Sequence, residues 1–416
     1  MRRNAAWLAI ATAVAVSTLS IVTVASSSAA PAVRGFDGTT VKVAGFGIKS
    51  QLPTSETGAR ARIQRFNDDN ELPGVKIDYL EFADDKQDPA TALTEGRRLV
   101  TQQQVFAIVG DVSQFNPAEY FAQQQVPYFG WAFDNSYCSH DPSTQLWGFG
   151  YSGCIVPVNP AFIGAGGRNL YTYAHAKTGK EHPTVAIVGN DSVSSRSSMR
   201  LAKIYYPKAG LDVVGTFNQM PNPPISDYTP YAQAALTADG GKAPDVIVCA
   251  LATDCIPLYA NVKANNYTGI YVSSLYSNLL VKAMEGSAVQ TSFGNPIDAS
   301  TGMDRMKTDL DAFEPGSGAK IDSGTIAGYT STDMFIQALK TVAKKGKANI
   351  TPANVQKAAA RQTWKLAGVA GPTKYPDSTV SSVQTCGAIF VSDGTQWKTE
   401  VPYGCSPLRY PVPSPK

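Results

Sequence analysis

Residues Val75–Gly110 read VKIDYLEFADDKQDPATALTEGRRLVTQQQVFAIVG. From Val75 to Phe82 apolar and polar residues alternate in part, the pattern of a strand with one side in water. Asp88-Pro89 supplies an N-cap and then a proline for the first helical position, which predicts a helix running to about Gln104. Val105 to Gly110 is continuously apolar, as a strand buried on both faces must be. A strand, a helix and a doubly buried strand in so short a span form a βαβ unit, and that unit implies a parallel sheet.

The alternation continues on both sides of this stretch. Upstream, Val41–Gly47 is a β-branched run ending in glycine, and a helix is predicted from about Thr57 to Asn70, stopping near Pro73-Gly74. Downstream, a helix over Pro117–Gln125 and a strand over Val126–Ala132 follow. After a loop-rich interval the pattern restarts. Strand Thr184–Gly189, helix Ser195–Lys208, strand Val213–Phe217, helix Thr229–Ala238, strand Asp245–Ala250, helix Pro257–Asn266 and strand Ile270–Ser273 follow in order. The expected fold class is therefore α/β, with two doubly wound parallel sheets carrying helices on both faces. In the last third, Met334, Phe335, Ala338, Leu339 and Val342 make a helical stripe within Ala327–Ala343. Thr351-Pro352 opens a short helix. Cys386–Phe390, a turn at Asp393-Gly394 and Gln396–Glu400 read as a hairpin-like end, and the proline-rich tail Tyr410–Lys416 as extended chain.

A chain of 416 residues suits two lobes of about 150 residues each. With 43% apolar and 17% charged residues it is globular, not disordered. The formal charge is 36 − 33 = +3, so nothing in the composition points to nucleic acid as a partner. Met1-Arg2-Arg3-Asn4, the uncharged apolar run Ala5–Ala25 and the small residues Ser26–Ala32 read as an export signal over residues 1–30, cleaved between Ala29 and Ala32. No membrane insertion is expected after cleavage. Six cysteines in an exported chain imply disulfides, and the spacing favours neighbours: Cys138–Cys154, Cys249–Cys255 and Cys386–Cys405.

Enzyme signatures are scarce. There is no G-x-S-x-G, no H-E-x-x-H and no G-x-x-x-x-G-K-[ST]. Gly148–Gly153 fits G-x-G-x-x-G but lacks a preceding strand and a following helix, so it reads as a flexible glycine loop. His140, His175 and His182 stand apart from any nucleophile, and no C-x-x-C pair suggests a metal. No catalytic residue, cofactor or metal is expected. Asp84-Asp85 reads as a solvated acidic turn. In open α/β sheets ligands bind beyond the carboxyl ends of the strands. The candidate segments are thus Asp111–Gln114, Trp131–Asp134, Asp191–Ser194, Leu251–Asp254 and Ser274–Tyr276. Within them the expected ligand contacts are Ser113, Gln114, Trp131, Ala132, Phe133, Asp134, Asp191, Ser194, Leu251 and Tyr276. Ser113-Gln114 offers a hydroxyl and backbone N–H groups between a strand and a helix. Trp131–Asp134 offers two rings and a carboxylate.

These segments resemble the branched-chain amino-acid type of periplasmic binding proteins, the type I solute-binding proteins that feed ABC importers. The resemblance is densest over VKIDYLEFADDKQDPATALTEGRRLVTQQQVFAIVGDVSQF (Val75–Phe115) and QQVPYFGWA (Gln124–Ala132). It continues more weakly through Pro183–Lys203, Pro244–Ser274 and Gly324–Ala360. It implies two lobes joined by three crossing strands: 36–157 with 286–382, and 158–285 with 383–416. It also implies a ligand cleft between the lobes that closes by hinge bending. Ser113 matches the serine that holds a ligand carboxylate, and Trp131–Phe133 match the next binding loop. Leu275 or Tyr276 stands where amino-acid binders place an acid for the ammonium group. That acid is missing here, which implies an apolar, aromatic or amino-acid-like solute. The first cysteine is Cys138, so no lipid anchor follows the leader, and a periplasmic or secreted location is implied. The implied partner is an ABC permease; a secreted sensor or scavenger on the same fold is the alternative.

Overall fold

The computed structural model describes residues 33–138, 147–155, 162–164, 167–221, 225–250, 254–375, 386–406 and 408–412. The expected leader over residues 1–30, His140 and Leu251 lie outside them. The βαβ stretch folds as read. It comprises β1 (Thr40–Gly47), α1 (Thr54–Asp68), β2 (Lys76–Asp84), α2 (Pro89–Thr101), β3 (Ala107–Asp111), α3 (Ala118–Gln123) and β4 (Tyr128–Gly130). Asp88 caps α2 by accepting from the Thr91 amide at 2.7 Å, with Pro89 in the first turn. Every residue of β3 is buried. Gly148–Gly150 is not a glycine loop: it forms β5 and pairs in parallel with β4. Glycine is needed at Gly148 for space, since a Cβ there would lie 2.4 Å from the Tyr128 ring.

The second half contains β6 (Phe162–Gly164), α4 (Gly167–Thr178), β7 (Thr184–Asn190), α5 (Val193–Ala209) and β8 (Asp212–Met220). It continues with α6 (Thr229–Leu236), β9 (Val246–Cys249), α7 (Cys255–Ala264), β10 (Ile270–Ser273) and β11 (Ala288–Thr291). The chain then adds α8 (Thr301–Phe313), α9 (Ser323–Ala343), α10 (Pro352–Ala359) and the strands β12 (Thr363–Leu366) and β13 (Ala370–Lys374). It ends with β14 (Cys386–Ser392), β15 (Trp397–Cys405) and β16 (Arg409–Pro411). Part of the expected extended tail is thus a strand, and β16 pairs antiparallel with β6.

The first sheet runs β2-β1-β3-β4-β5 and is parallel throughout. The second runs β15-β14-β11-β10-β9-β7-β8; it is parallel from β8 to β11, and β14 and β15 add antiparallel. Both parallel portions therefore repeat one winding order, second-first-third-fourth-fifth. The order reverses between β1 and β3 in one sheet and between β7 and β9 in the other, and such reversals open a crevice at the carboxyl ends of the strands. β11 falls in the segment expected to belong to the first lobe, yet it is hydrogen-bonded into the second sheet, so the chain leaves that sheet after Thr291.

Late helices complete the early sheet. Helix α9 is buried along almost its whole length and crosses α1 at close range. A Cβ on Gly58 would stand 2.1 Å from the Thr325 carbonyl oxygen, and one on Gly328 would stand 1.9 Å from that of Ser55. Buried Arg62 on α1 donates to Asp333 of α9 and to Glu71, both at 2.7 Å, and Lys340 donates to Glu71 at 2.9 Å. All three cysteine pairs are disulfides: Cys138–Cys154, Cys249–Cys255 and Cys386–Cys405, the last joining register partners on β14 and β15.

Candidate functional site

The carboxyl ends of the two sheets share a cavity of about 300 Å³. From the first sheet come Gln51 and Leu52 after β1, Gln87 after β2, Gln114 after β3, and Trp131 and Phe133 after β4. From the second come Asn190, Ser192, Ser195 and Ser198 around the start of α5, the β9 end Val248–Ala250, the β10 end Val272–Leu275, and Gln290–Ser292. These positions follow from the winding: each parallel strand ends at the same edge, so the residue just past each strand faces the crevice. Gly47 makes a close approach at that edge. Its φ of +131° is suited to glycine, and a Cβ there would meet the Ser113 amide nitrogen at 2.5 Å.

The structure gathers some of the expected residues and separates others. Gln114, Trp131 and Phe133 line the cavity, with the two ring centroids 4.6 Å apart. Ala132, between the two in sequence, is buried with a left-handed φ of +70° and does not line the cavity. Ser113 also lies behind the wall. It is buried, donates its hydroxyl hydrogen to Asp85 at 2.5 Å, and accepts from the Phe115 amide at 2.9 Å. Asp85 is fully buried, so the expected solvated turn is half wrong: the first carboxylate of that pair is partly exposed and the second is sealed in.

Asp134 faces a second, more open space of about 900 Å³ that shares Gln114 and Ser192 with the first. Its carboxylate is already satisfied: it accepts from the Ser136 amide at 2.7 Å and from the Asn116 amide and side chain at 2.9 and 2.8 Å. Asp191 borders the same open space and is ion-paired with Arg196. Ser194 lies in the first turn of α5. Tyr276 belongs to the core, packed among Phe293, Phe390 and Trp397, and its neighbour Leu275 is the one that lines the cavity.

Three acids stand behind the first-sheet wall. Burial pushes the carboxyl groups of Asp85 and Asp134 up, against hydrogen bonds that pull them down. Burial raises Asp111 well above the ordinary carboxylate range, although it accepts from the Tyr137 hydroxyl at 2.6 Å and the Ser113 amide at 2.8 Å. Apart from one carboxylate, the described cavity lining is neutral. Asp254 is its one carboxylate among the described residues, and the Tyr228 hydroxyl donates to it at 2.6 Å. Sequence reasoning missed Gln51, Gln87 and the serines Ser195 and Ser198. Ser195 and Ser198 are neighbours three residues apart on α5, and Ser192 caps the same helix, a spacing that was present in the sequence.

Among the described residues, no group of three or more His, Cys, Asp or Glu side chains is placed to hold a metal. None of the described helices is long and apolar enough to cross a membrane. A family model described as periplasmic binding protein matches residues 44–395. No curated protein matches by sequence. Among solved structures, an ABC transporter substrate-binding protein from Aeropyrum pernix superposes with a TM-score of 0.69 at 15% identity, covering 88% of this chain and 96% of that one. A branched-chain amino-acid ABC transporter protein from Thermus thermophilus with bound valine gives 0.67 at 15% identity, over 88% and 97%. A solute-binding protein of an ABC transporter from R. palustris, in complex with 4-hydroxybenzoate, gives 0.67 at 15% identity, over 88% and 97%.

Proposed function

Because the chain belongs to the periplasmic binding protein family, we propose that it is an exported, non-enzymatic carrier. It captures a small solute between its two lobes by hinge closure and hands it to an ABC permease. The cavity carries this reading: its lining comes from strand ends of both sheets, so a ligand inside touches both at once. A ligand held from both sides favours the closed state by its differential contacts, which is the thermodynamic requirement for ligand-driven closure. The lobes in this reading are 36–157 with 292–382, and 158–291 with 383–416.

Gln114, Trp131 and Phe133 contact the solute. Asp134 and Asp191 border its entrance. Ser113, Ala132 and Tyr276 position the wall behind them. The two rings favour a ligand with an apolar or aromatic face. The carrier works in the periplasm or outside the cell.

Small-angle scattering on the purified chain tests the reading. The radius of gyration should fall when a solute that raises the melting temperature is added. A solute that stabilises the fold without compaction would overturn hinge closure.

A further inference from the structure

The cavity walls carry almost no charge. Among the described lining residues there is no Lys, Arg, His or Glu, and the single Asp254 is engaged by Tyr228. An α-carboxylate needs a cation or several converging N–H groups, and an ammonium needs a carboxylate free to receive it. At the entrance Arg196 is paired with Asp191, and Arg97 stands over the Tyr120 ring. The position where Ser113 stands is worse than neutral for an anion. Its hydroxyl already donates to Asp85, and Asp111 and Asp134 lie close enough to influence one another. None of the three is ion-paired with a cation among the described residues.

What the walls offer instead is neutral hydrogen bonding in both directions. Ser195 is 5% exposed, lines the cavity, and its hydroxyl has no partner among the described residues. The Gln51 carbonyl oxygen is likewise buried without a partner among the described residues, while the amide end of that side chain donates to Gln87 at 3.1 Å. A buried hydroxyl donates and accepts, and a buried amide oxygen accepts; left unpaired, each lowers stability. Groups that both donate and accept suit ligand hydroxyls. Trp131 and Phe133 add an apolar surface to the same cavity, their rings tilted by 37°.

We propose that the solute is an uncharged, hydroxyl-rich ring compound of the monosaccharide or cyclitol class, held by Ser195 and Gln51 with a C–H face toward Trp131. This rests on the solute-capture reading above and names its ligand class. Charge plays no part in such binding, so affinity is insensitive to salt, unlike recognition through exposed ions.

Calorimetric titration of the purified chain tests it. The probes are D-glucose, D-galactose, D-ribose and myo-inositol on one side, and L-valine, L-phenylalanine, 4-hydroxybenzoate and acetamide on the other, each at low and high salt. At least one sugar or the cyclitol should bind with salt-independent affinity, and which of them binds separates the two sources. Trp131→Ala should weaken that binding about tenfold or more, and Ser195→Ala several-fold. Trp131→Phe, which keeps a ring, should recover part of the loss and guards against a folding defect. Binding confined to the amino acids, the benzoate or acetamide would overturn the ligand class and leave solute capture standing. No binding by any probe would overturn both.

Discussion

Ser113 donates to Asp85 at 2.5 Å from inside the protein, with both side chains buried. This bond ties the end of β3 to the loop after β2, and so fixes the wall from which Gln114 projects. A hydroxyl committed in this way is a support for the site. Ser113→Ala leaves a buried carboxylate short of a donor, and is expected to lower stability by about 1–3 kcal/mol. In urea unfolding the midpoint should drop, while ligand affinity should change less than it does in Trp131→Ala.

Acid titration should expose two opposed trends. Burial works to raise Glu71, but pairing with Arg62 and Lys340 prevails and holds its carboxyl at about 2. A depressed folded value means that its stabilisation is present above the unfolded value of about 4.3 and fades as pH falls through that value toward about 2. Glu71→Gln should cost about 2 kcal/mol at neutral pH, below the ~3–5 kcal/mol of a fully broken buried pair, because Arg62 keeps Asp333. The melting temperature of this variant should fall less steeply with acid than that of the parent.

Asp111 should behave in the reverse sense. A raised folded value means the native state holds its proton longer than the unfolded chain, so stability drops as pH rises above about 3.9. In Asp111→Asn the amide oxygen can still accept from the Ser113 amide, and the Tyr137 hydroxyl can turn to accept from the new NH₂. The variant is expected to unfold at higher urea than the parent at neutral pH and at the same urea near pH 3. A lower midpoint at neutral pH would contradict the burial argument.

The Cys249–Cys255 bridge joins the cavity floor at the end of β9 to the first residue of α7. Replacing both cysteines by serine should remove about 2 kcal/mol, the loop-entropy estimate for so short a ring. Ligand affinity should weaken as well, because Cys249 lines the cavity. Replacing Cys386 and Cys405 on the far β14–β15 pair should lower stability with affinity unchanged, and the contrast is readable by titration.

Gly328→Ala places a methyl group where the Ser55 carbonyl oxygen stands, 1.9 Å away. Helices α1 and α9 must then separate, at a cost of about 1–3 kcal/mol or more. Thermal melting would show it. An unchanged melting temperature would mean that the two helices are not locked at that crossing.

The parts legible in the sequence were those governed by local patterning. Alternation, the Asp88-Pro89 cap and continuous apolar runs located the strands β1–β4 and β7–β10 because each signal lies within a few residues of its element. Helix α4 was missed because its buried positions are sparse, chiefly Leu170, Tyr173 and Ala174 among polar neighbours. In α8 the sequence TGMDRMKTDLDAF buries only Met303, Met306, Asp309 and Leu310, a narrow stripe in a charged segment. β5 was hidden by its glycines, whose strand conformation is imposed by pairing with β4 and not by propensity. The site was half legible for a similar reason. Strand ends can be counted along the chain, but whether a side chain there turns to the cavity, as Gln114 does, or to Asp85, as Ser113 does, depends on contacts with distant residues.

The Arg62–Asp333 pair joins residues 271 positions apart, and the neighbouring Gly58–Thr325 contact spans a similar distance. The sheet that begins the chain therefore waits for its covering helix until most of the polypeptide has been synthesised. Loop closure over such separations slows folding and leaves apolar surface open in the meantime. In a pulse-labelling hydrogen-exchange experiment the amides of β9 and β10, with α7 close in sequence, should gain protection before those of β1 and β3. The lobe that starts first would then be the one finished last.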